Sequence, residues 1–432
     1  MSKKNVFVVG LDDFNLKKMK LTPEASDCEF HPALYISEIR EIEQFDMATL
    51  VDTAVKRMEE FPGKIDAVVA YYDFPATDIL PILAERFGLP GPSLESVFKC
   101  EHKYWSRLEQ QKVIPDHIPV FRAFDPFDPH AFEKLNMLPP FWIKPIRSFR
   151  SFLAYRINGE IDFVTNIEEV KEQIDYLARP YRYFLENYPV PAEIAEMEES
   201  CIAESMLEGS QCTLEGYVLH GDVVIYGIVD SVREADRSSF ARYEYPSFLP
   251  QEIQFRMADV ARRVIKQIGL NNSPFNAEFF YNSTLNEVFL LEINPRISQS
   301  HADIFEKVHG VSHLSIMLQI ALGKRPAPLD TKGPFQVAAN CMIRTYESGK
   351  LIRVPFQEEI TSIENDIPGT VIKLLVKEGQ HLNNLQLQDS YSFELANVFI
   401  GGRDRLELLE RYNQVLDKLN FDVERDEETV IS

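Results

Sequence analysis

The chain has 432 residues, with 45 lysines and arginines against 67 aspartates and glutamates, so its formal net charge is −22. Apolar residues make up 45% and charged residues 26%, as in an ordinary globular protein, and the length corresponds to about three domains. This acidity argues against a nucleic-acid partner and against an anionic membrane surface, because both are bound through clusters of lysine and arginine. A nucleotide ligand is not excluded, since it needs only a few cations and a metal ion.

The segments that direct secretion or membrane insertion are not found in the sequence. The apolar run near the N-terminus, residues 6–10, is too short for a signal-peptide core, and no stretch reaches the ~18 apolar residues of a transmembrane helix. The five cysteines are scattered and never have CxxC spacing. We therefore expect reduced thiols, no structural zinc and a cytoplasmic protein without a membrane partner.

The first 95 residues predict a small parallel α/β unit. A β-rich run at 6–10 and a second one at 65–71 read as strands, with a helix at 47–60 between them and another at 78–87. Two strand–helix units in this order favour a parallel sheet. The turn-rich segment 89–93 separates this unit from the rest of the chain.

The middle of the chain mixes helices with short strands. We predict one helix over 94–112, a strand at 141–145, a hairpin arm at 152–157 that turns at Asn158-Gly159, and an acidic helical lid at 166–200. Further on, the predicted elements are a strand at 201–204, a hairpin of 213–218 with 223–228, a helix at 250–269, strands at 275–281 and 288–293, and a helix at 311–322. The last hundred residues predict strands and one helix, at about 404–419.

The most informative cluster of polar residues lies on the strand pair 275–293. Residues two apart in a strand share a face, so Asn276 with Glu278, and Glu292 with Asn294, each project one way. If the strands pair, one surface gains two carboxylates and amide oxygens, which suit Mg²⁺. Arg296 adds a permanent cation for a phosphate or carboxylate oxygen. The alternative is a solvated strand face with a surface ion pair.

Three weaker features precede this cluster, and each has an ordinary structural explanation. Lys103 on a helix and Lys144 at a strand end suit phosphate groups or an adenine edge, but lysines are usually on the surface. The turn 146–152 contains serines and no glycine, so a generic hairpin turn competes with a phosphate-covering loop. Glu204, where a strand leaves for a loop, could present backbone groups to a base or form a plain turn.

The order of these features resembles that of the ATP-grasp superfamily of carboxylate–amine ligases. The series is Lys103, Lys144-Pro with a serine-containing turn, Glu204-x-x-Leu, Asn-Ala-Glu278, and finally Glu292-Ile-Asn-Pro-Arg. The resemblance covers about residues 95–325 and is greatest to the branch of biotin carboxylase, carbamoyl-phosphate synthase and the amino-acid ligases. Its most specific part is the final motif.

The resemblance implies ATP and Mg²⁺ as cofactors, with Mn²⁺ as an alternative metal, and assigns roles to individual residues. Arg296 would be catalytic, and Glu278, Glu292 and Asn294 would hold the metal. The nucleotide would be bound by Lys103, Lys144, Ser148, Ser151, Glu204, Ser205, Leu207 and Gln211. Phe149 and Arg150 are bulky where relatives have glycine, so either the loop takes a different path or turnover is slow.

The implied fold is α/β: an ATP-grasp fold preceded by a Rossmann-like domain and followed by a β-rich subdomain. Its expected parts are 1–95, the N-terminal domain; 96–200, the first ATP-grasp part with the lid; 201–328, the second part with the metal site; and 329–432, the β-rich domain. The implied reaction joins a small carboxylic acid or amino acid to an amine through an acyl-phosphate. Carboxylation like that of biotin carboxylase, small-molecule phosphorylation, and a non-catalytic ATP-binding module remain alternatives.

The substrates themselves are small molecules whose binding groups are less clear from the sequence. Arg233 and Arg242 are candidates to bind a substrate carboxylate, or else lie on the surface. The polar run 298–301 follows Arg296 and is a candidate for the acceptor pocket, with His301 as a weak candidate for a general base. A homodimer is a further expectation from similar proteins.

Overall fold

The computed structural model describes residues 3–430 except for 41–45, 149–151, 235–236, 238, 330–331 and 386–391. Ser151, a predicted nucleotide-binding residue, lies outside the described residues. The strands are β1 (Lys4–Leu11), β2 (Cys28–Tyr35), β3 (Ala67–Ala70), β4 (Phe121–Phe124), β5 (Phe141–Pro145), β6 (Tyr155–Ile157), β7 (Cys201–Ser205), β8 (Ser210–Leu219), β9 (Asp222–Arg233), β10 (Phe240–Tyr245), β11 (Ser273–Asn282), β12 (Glu287–Asn294), β13 (Val337–Thr345), β14 (Glu347–Arg353), β15 (Val371–Leu374), β16 (Phe393–Gly402) and β17 (Asp422–Val430).

The α-helices are distributed along the whole chain between groups of these strands. They are α1 (Asp13–Lys20), α2 (Ser37–Arg40), α3 (Met47–Glu59), α4 (Ala76–Arg86), α5 (Leu94–Glu101), α6 (Lys103–Val113), α7 (Ala131–Leu135), α8 (Glu160–Asn187), α9 (Ala192–Ala195), α10 (Gln251–Ile268), α11 (Gln299–His309), α12 (His313–Ala321), α13 (Gln357–Asp366) and α14 (Arg405–Lys418). None of these helices combines the length and apolarity needed to cross a bilayer.

The N-terminal unit is a three-stranded parallel sheet in the order β2-β1-β3. Its central strand is buried on both faces, because helices cover the sheet and leave Val6, Val8 and Val9 without exposure. The predicted parallel α/β unit is confirmed. The edge strand β2 was not predicted, since His31-Pro32 interrupts its apolar pattern.

The helix predicted over 94–112 is wrong in one respect: it is two helices that meet at His102. The backbone of His102 is extended, and its ring Nδ1 accepts a hydrogen bond from the amide of Trp105 at 3.1 Å. His102 is therefore the N-cap of α6, and Lys103 is the first residue of that helix.

The predicted turn at Asn158-Gly159 is also wrong. Strand β6 does form a hairpin with β5, but the connection precedes it, at 146–154. The Asn158 side chain donates to Asp162 Oδ2 at 2.8 Å, which fixes the start of α8 instead of a reversal to another strand. Strands β5 and β6 belong to a four-stranded antiparallel sheet in the order β4-β7-β5-β6.

The largest sheet has eight strands in the order β12-β11-β8-β9-β10-β13-β16-β15. Its neighbours are antiparallel, and α10 packs on one face through an apolar core that includes Met257, Val264 and Phe275. The last three strands come from the part beyond residue 328, so one sheet spans the predicted boundary at 328/329. The expectation of a single helix in the last hundred residues is wrong, because α13 is present as well as α14.

Candidate active site

A cavity of about 1100 Å³ lies where the N-terminal unit, the four-stranded sheet and the eight-stranded sheet meet. Every residue that was predicted to bind the nucleotide or the metal, and the predicted catalytic Arg296, lines this cavity where the structure describes it. They are Lys103, Lys144, Ser148, Glu204, Ser205, Leu207, Gln211, Glu278, Glu292, Asn294 and Arg296. The fold thus brings together residues that are up to 193 positions apart in the sequence.

The two predicted metal-binding carboxylates face each other across neighbouring strands. In the antiparallel register of β11 and β12, Glu278 stands opposite Glu292 and Asn276 stands opposite Asn294. Directly opposed residues project to the same face of a sheet, so the predicted meeting of the two pairs is confirmed. A bulge follows Glu278, where the ladder shifts by one residue.

Amide side chains fix this face of the sheet. Asn294 Nδ2 donates to Asn276 Oδ1 at 3.0 Å, and Asn276 Nδ2 donates to the carbonyl of Arg296 at 3.0 Å. Because this bond occupies the amino group of Asn294, its carbonyl oxygen remains available as an acceptor at the cavity that the two carboxylates also line.

A second chain of polar contacts reaches Glu278 from β8. Gln211 Nε2 donates to Glu278 Oε2 at 2.8 Å, and Arg233 donates to Gln211 Oε1 at 2.6 Å. Gln211 thus holds the carboxylate in place without bringing a charge next to it.

The carboxylate pair has the properties of a cation site. Burial, and then the Glu292 carboxylate with which it makes a hydrogen bond, raise the pKa of Glu278 to about 8. Glu278 and Glu292 are both half-buried, and two such acids that repel each other are stabilised by a proton or by a metal ion. Among the described residues no three His, Cys, Asp or Glu side chains form a metal cluster, so a cation here would take two carboxylates and an amide oxygen. That donor set fits Mg²⁺, which commonly uses one or two carboxylates and fills the remaining positions with phosphate oxygens and water.

Arg296 lies beside this pair and points into the cavity. One guanidinium nitrogen, Nη2, binds Asp73 Oδ2 at 2.7 Å, which ties the loop after β12 to the loop after β3. Its Nε is buried and has no hydrogen-bond partner among the described residues. A buried donor without a partner is costly, so this nitrogen is a natural contact for an anionic ligand.

Glu204 is the centre of a saturated ion-pair network at the other end of the cavity. Arg107 Nε binds one carboxylate oxygen at 2.6 Å and Lys144 Nζ binds the other at 2.6 Å. Arg107 also donates to the carbonyls of Leu290 and Leu291 at 3.2 and 2.7 Å. Burial alone would raise the pKa of Glu204, but the two cations outweigh it and hold that pKa at about 2.

At the end of β7, some polar groups are already hydrogen-bonded within the protein. The Ser205 amide donates to the Val120 carbonyl, and Ser205 Oγ accepts from the Val120 amide at 3.0 Å. The backbone donor of Ser205 is therefore already occupied. Met206 and Leu207, which follow, line the cavity together with Trp142.

Lys103 reaches the cavity from the first turn of α6. Its Nζ donates to the Ser148 carbonyl, and its backbone amide donates to the Ile146 carbonyl at 3.3 Å. Burial lowers the pKa of Lys103 to about 8, and the Glu292 carboxylate opposes this shift. Lys103 therefore loses its charge more readily than a surface lysine.

The candidates for substrate binding are placed differently from one another. Arg233, Gln299 and Ser300 line the cavity. Arg242 does not: it forms an ion pair with Glu244 in β10. His301 is also not among the lining residues and is hydrogen-bonded to Glu215 at 2.7 Å, inside the protein.

Sequence reasoning missed Arg107, Asp73 and Arg147, all of which line the cavity. Arg107 lies one helical turn after Lys103, a spacing that puts both on one face of a helix and could have identified it. Asp73 follows the buried run of β3, where ligands commonly meet the ends of parallel strands. Arg147 gave no comparable signal.

Comparison with known proteins locates the same region. Residues 137–303 match the family model of the ATP-grasp domain. A segment of 137 residues is 25% identical to the carbamoyl phosphate synthase large chain of Thermus thermophilus, covering 31% of this chain. That segment spans only 13% of the length of the synthase.

Solved structures resemble the whole chain. An L-amino acid ligase from Bacillus licheniformis has a TM-score of 0.72 at 16% identity, covering 98% of this chain and 100% of its own. The biotin carboxylase domain dimer of the Hydrogenobacter thermophilus 2-oxoglutarate carboxylase, in complex with MgADP and bicarbonate, has a TM-score of 0.66 at 15% identity, covering 98% and 91%. At these identities the likeness establishes the fold.

Proposed function

Because this chain carries an ATP-grasp domain within an ATP-grasp fold, we propose that it is an ATP-dependent carboxylate–amine ligase that acts through an acyl-phosphate. One observation carries the proposal: the Glu278–Glu292 pair and Arg296, whose Nε has no hydrogen-bond partner among the described residues, line the same cavity as Lys103 and Lys144. A divalent cation, a triphosphate and a carboxylate would all find complementary charge there.

The nucleotide is proposed to lie between the two ends of the cavity. The adenine would lie beside Trp142 and the Met206-Leu207 edge, close to the Lys144–Glu204 ion pair. The phosphates would extend towards Lys103, near Ser148. Since Glu204 is already neutralised by Arg107 and Lys144, it would shape the base site and hold Lys144 in position.

The metal site is proposed to consist of Glu278, Glu292 and Asn294. Mg²⁺, with Mn²⁺ as the alternative, would neutralise charge on the phosphates when bound. In its absence the pKa of Glu278 is raised to about 8, so metal binding and proton release would occur together.

The proposed chemistry has two steps. A substrate carboxylate oxygen attacks the γ-phosphorus of ATP, the bond to the β-phosphate oxygen breaks, and ADP leaves an acyl-phosphate behind. An amine then attacks the acyl carbon, inorganic phosphate leaves, and the nitrogen loses a proton. Arg296 and Lys103 would stabilise the charge on the transferring group, and this positioning of charge is the main contribution of proteins to phosphoryl transfer.

The substrate class is proposed to be a small carboxylic acid or amino acid, with an amine as the acceptor. Arg233, Arg344 and Lys373 line the cavity. Arg344 forms an ion pair with Glu394, which lines it too, so these four side chains keep a net positive charge that favours anionic groups. The Bacillus licheniformis L-amino acid ligase, whose fold this chain shares over nearly its full length, makes amino acids the first compounds to test.

The test is an acceptor screen in which two products are measured. The protein is incubated with MgATP and pairs from a pool of amino acids, and ADP and phosphate are quantified; hydroxylamine in place of the amine should trap the acyl-phosphate as a hydroxamate. Bicarbonate-dependent ADP release without hydroxamate would favour carboxylation instead. Tight MgATP binding with no ADP formed in any mixture would favour a non-catalytic module.

A further inference from the structure

A second pair of buried acids lies at the wall of the cavity, outside the predicted site. Asp78 from α4 is fully buried, and Glu101 at the end of α5 has a side chain only 10% exposed. Both face Arg147: Nη2 lies 3.4 Å from Asp78 Oδ2, and Nη1 lies 3.5 Å from Glu101 Oε2. The three residues join the N-terminal unit to the segment that follows β5.

The charges of this group balance only if the two acids share one proton. The Asp78 and Glu101 side chains lie within hydrogen-bonding reach of each other, and two carboxyl groups can form such a bond only if one of them is protonated. The oxygens not facing Arg147, Asp78 Oδ1 and Glu101 Oε1, are buried and accept no bond from a donor among the described residues. One proton shared by the two acids would leave a single negative charge against the guanidinium.

Two aromatic rings pack against the Arg147 guanidinium and restrict its movement. The Arg147 guanidinium lies 4.2 Å from the centre of the Tyr181 ring, and 5.3 Å from that of Phe74. A guanidinium held by two acids and two aromatic faces has little freedom to move. The other ionisable groups that face the unit are Asp73 after β3, His102 and Lys103 at the start of α6, Tyr181 in α8, and Arg296 after β12.

Arg147 stands directly between two backbone groups that hold Lys103. The carbonyl of Ile146 accepts from the Lys103 amide, and the carbonyl of Ser148 accepts from the Lys103 ammonium group. The Ile146 amide in turn donates to the Ser200 carbonyl at 3.0 Å. Whatever fixes Arg147 therefore fixes both contacts of Lys103.

We propose that Arg147, clamped by an Asp78–Glu101 pair that shares one proton, is the positioning residue that orients Lys103 toward the nucleotide phosphates. In a chain whose phosphate loop has no glycine, this side-chain clamp takes over the task of fixing the loop's first residues. The proposal rests on the nucleotide binding proposed above, but not on the ligase reaction.

The protonation of the pair makes the clamp sensitive to alkaline pH. Burial, and then the neighbouring Asp78 carboxylate, raise the pKa of Glu101 well above its usual range, so the proton remains bound at neutral pH. When it leaves, two buried carboxylates face one guanidinium, and the unit carries an uncompensated charge. Deprotonation of Lys103 also weakens phosphate binding at high pH, so the informative quantity is the difference between the wild-type protein and a variant with a permanently neutral Glu101.

The experiment measures equilibrium binding of MgADP and of adenosine, each from pH 6.5 to pH 9, with the full chain. Arg147→Lys keeps the charge but cannot bridge two acids, and should weaken MgADP at least about tenfold while changing adenosine less than about twofold. Glu101→Gln should retain MgADP binding at pH 9 better than the wild type does. Glu95→Gln is the matched control, because Glu95 lies on the same helix with its side chain 61% exposed and pairs with Lys99.

The outcomes separate this proposal from the function itself. If the wild type binds no MgADP, the proposed function fails before the clamp is tested. If Arg147→Lys binds MgADP as well as the wild type, or loses MgADP and adenosine equally, Arg147 is not a positioning residue for Lys103. If Glu101→Gln loses MgADP affinity with rising pH in parallel with the wild type, the shared proton is wrong. Thermal melting of each variant checks that the fold is retained.

Discussion

The two ends of the cavity place a carboxylate in opposite electrostatic surroundings. Glu204 has a cation on each oxygen, and its pKa is held at about 2. Glu278 has an acid opposite and an amide beside it, and its pKa is raised to about 8. Glu204 is neutralised by its own ion pairs, which stabilise the fold. Among the described residues no cation forms an ion pair with Glu278 or Glu292, although Arg296 lies nearby, so this pair can still bind a positive ion. Burial alone therefore does not identify a ligand site; the missing counter-charge does.

The largest expected effect comes from breaking the ion pairs of Glu204 with Arg107 and Lys144. Glu204→Gln leaves Arg107 and Lys144 buried without a counter-charge, and should cost about 3–5 kcal/mol of unfolding free energy. Urea denaturation of the variant and the wild type measures this loss. As the control, Glu208→Gln changes an exposed carboxylate three residues beyond β7 and should leave the unfolding midpoint where it is.

The next largest effect concerns the Glu278–Glu292 pair, where one substitution should change activity without lowering stability. Glu292→Gln removes one metal ligand, and should lower MgATP-dependent ADP formation by about 100- to 1000-fold. It also removes the repulsion opposite Glu278, so the metal-free protein should melt no lower than the wild type. A variant that retains full turnover would contradict the metal role of Glu292.

The pH dependence should have opposite signs at the two ends. The raised pKa of Glu278 means that the folded protein holds a proton which the unfolded chain has released, so its contribution to stability is present at acid pH and falls as pH rises towards about 8. The lowered pKa of Glu204 gives a contribution that is lost as pH falls below about 4. Unfolding free energies of the metal-free protein across pH should show the first trend, at no more than about 1.4 kcal/mol per unit, and Glu278→Gln should lose it. Saturating Mg²⁺ with ATP should offset the fall.

The smallest expected effect concerns the hydrogen bond from Gln211 to Glu278. Gln211 lowers the pKa of Glu278 through its hydrogen bond, so Gln211→Leu should move the alkaline fall in stability to higher pH. The expected cost in unfolding free energy is about 1 kcal/mol, the usual contribution of one hydrogen bond. A titration curve of the variant that coincides with that of the wild type would show that Gln211 does not influence Glu278.

The sequence supports prediction best where function is built from neighbouring residues. Glu278 and Glu292 are fourteen positions apart in one hairpin, so the two-residue repeat of a strand was enough to place them on one face. The break at His102 was missed because the apolar pattern of 94–112 continues through it, and only the cap formed by its ring reveals it. The Asp78–Glu101–Arg147 group was out of reach, since three distant segments meet only after the domains have packed.

The continuity of the eight-stranded sheet has a consequence for anyone who shortens the chain. Strand β10 is paired with β13 over Arg242–Tyr245, and β13 belongs to the part beyond residue 328. A truncated form ending there would expose a row of backbone donors and acceptors along β10, and would uncover Tyr245 and Phe305 in the core beneath. Such open edges recruit strands from other molecules, so the shortened protein should aggregate instead of yielding a smaller nucleotide-binding unit.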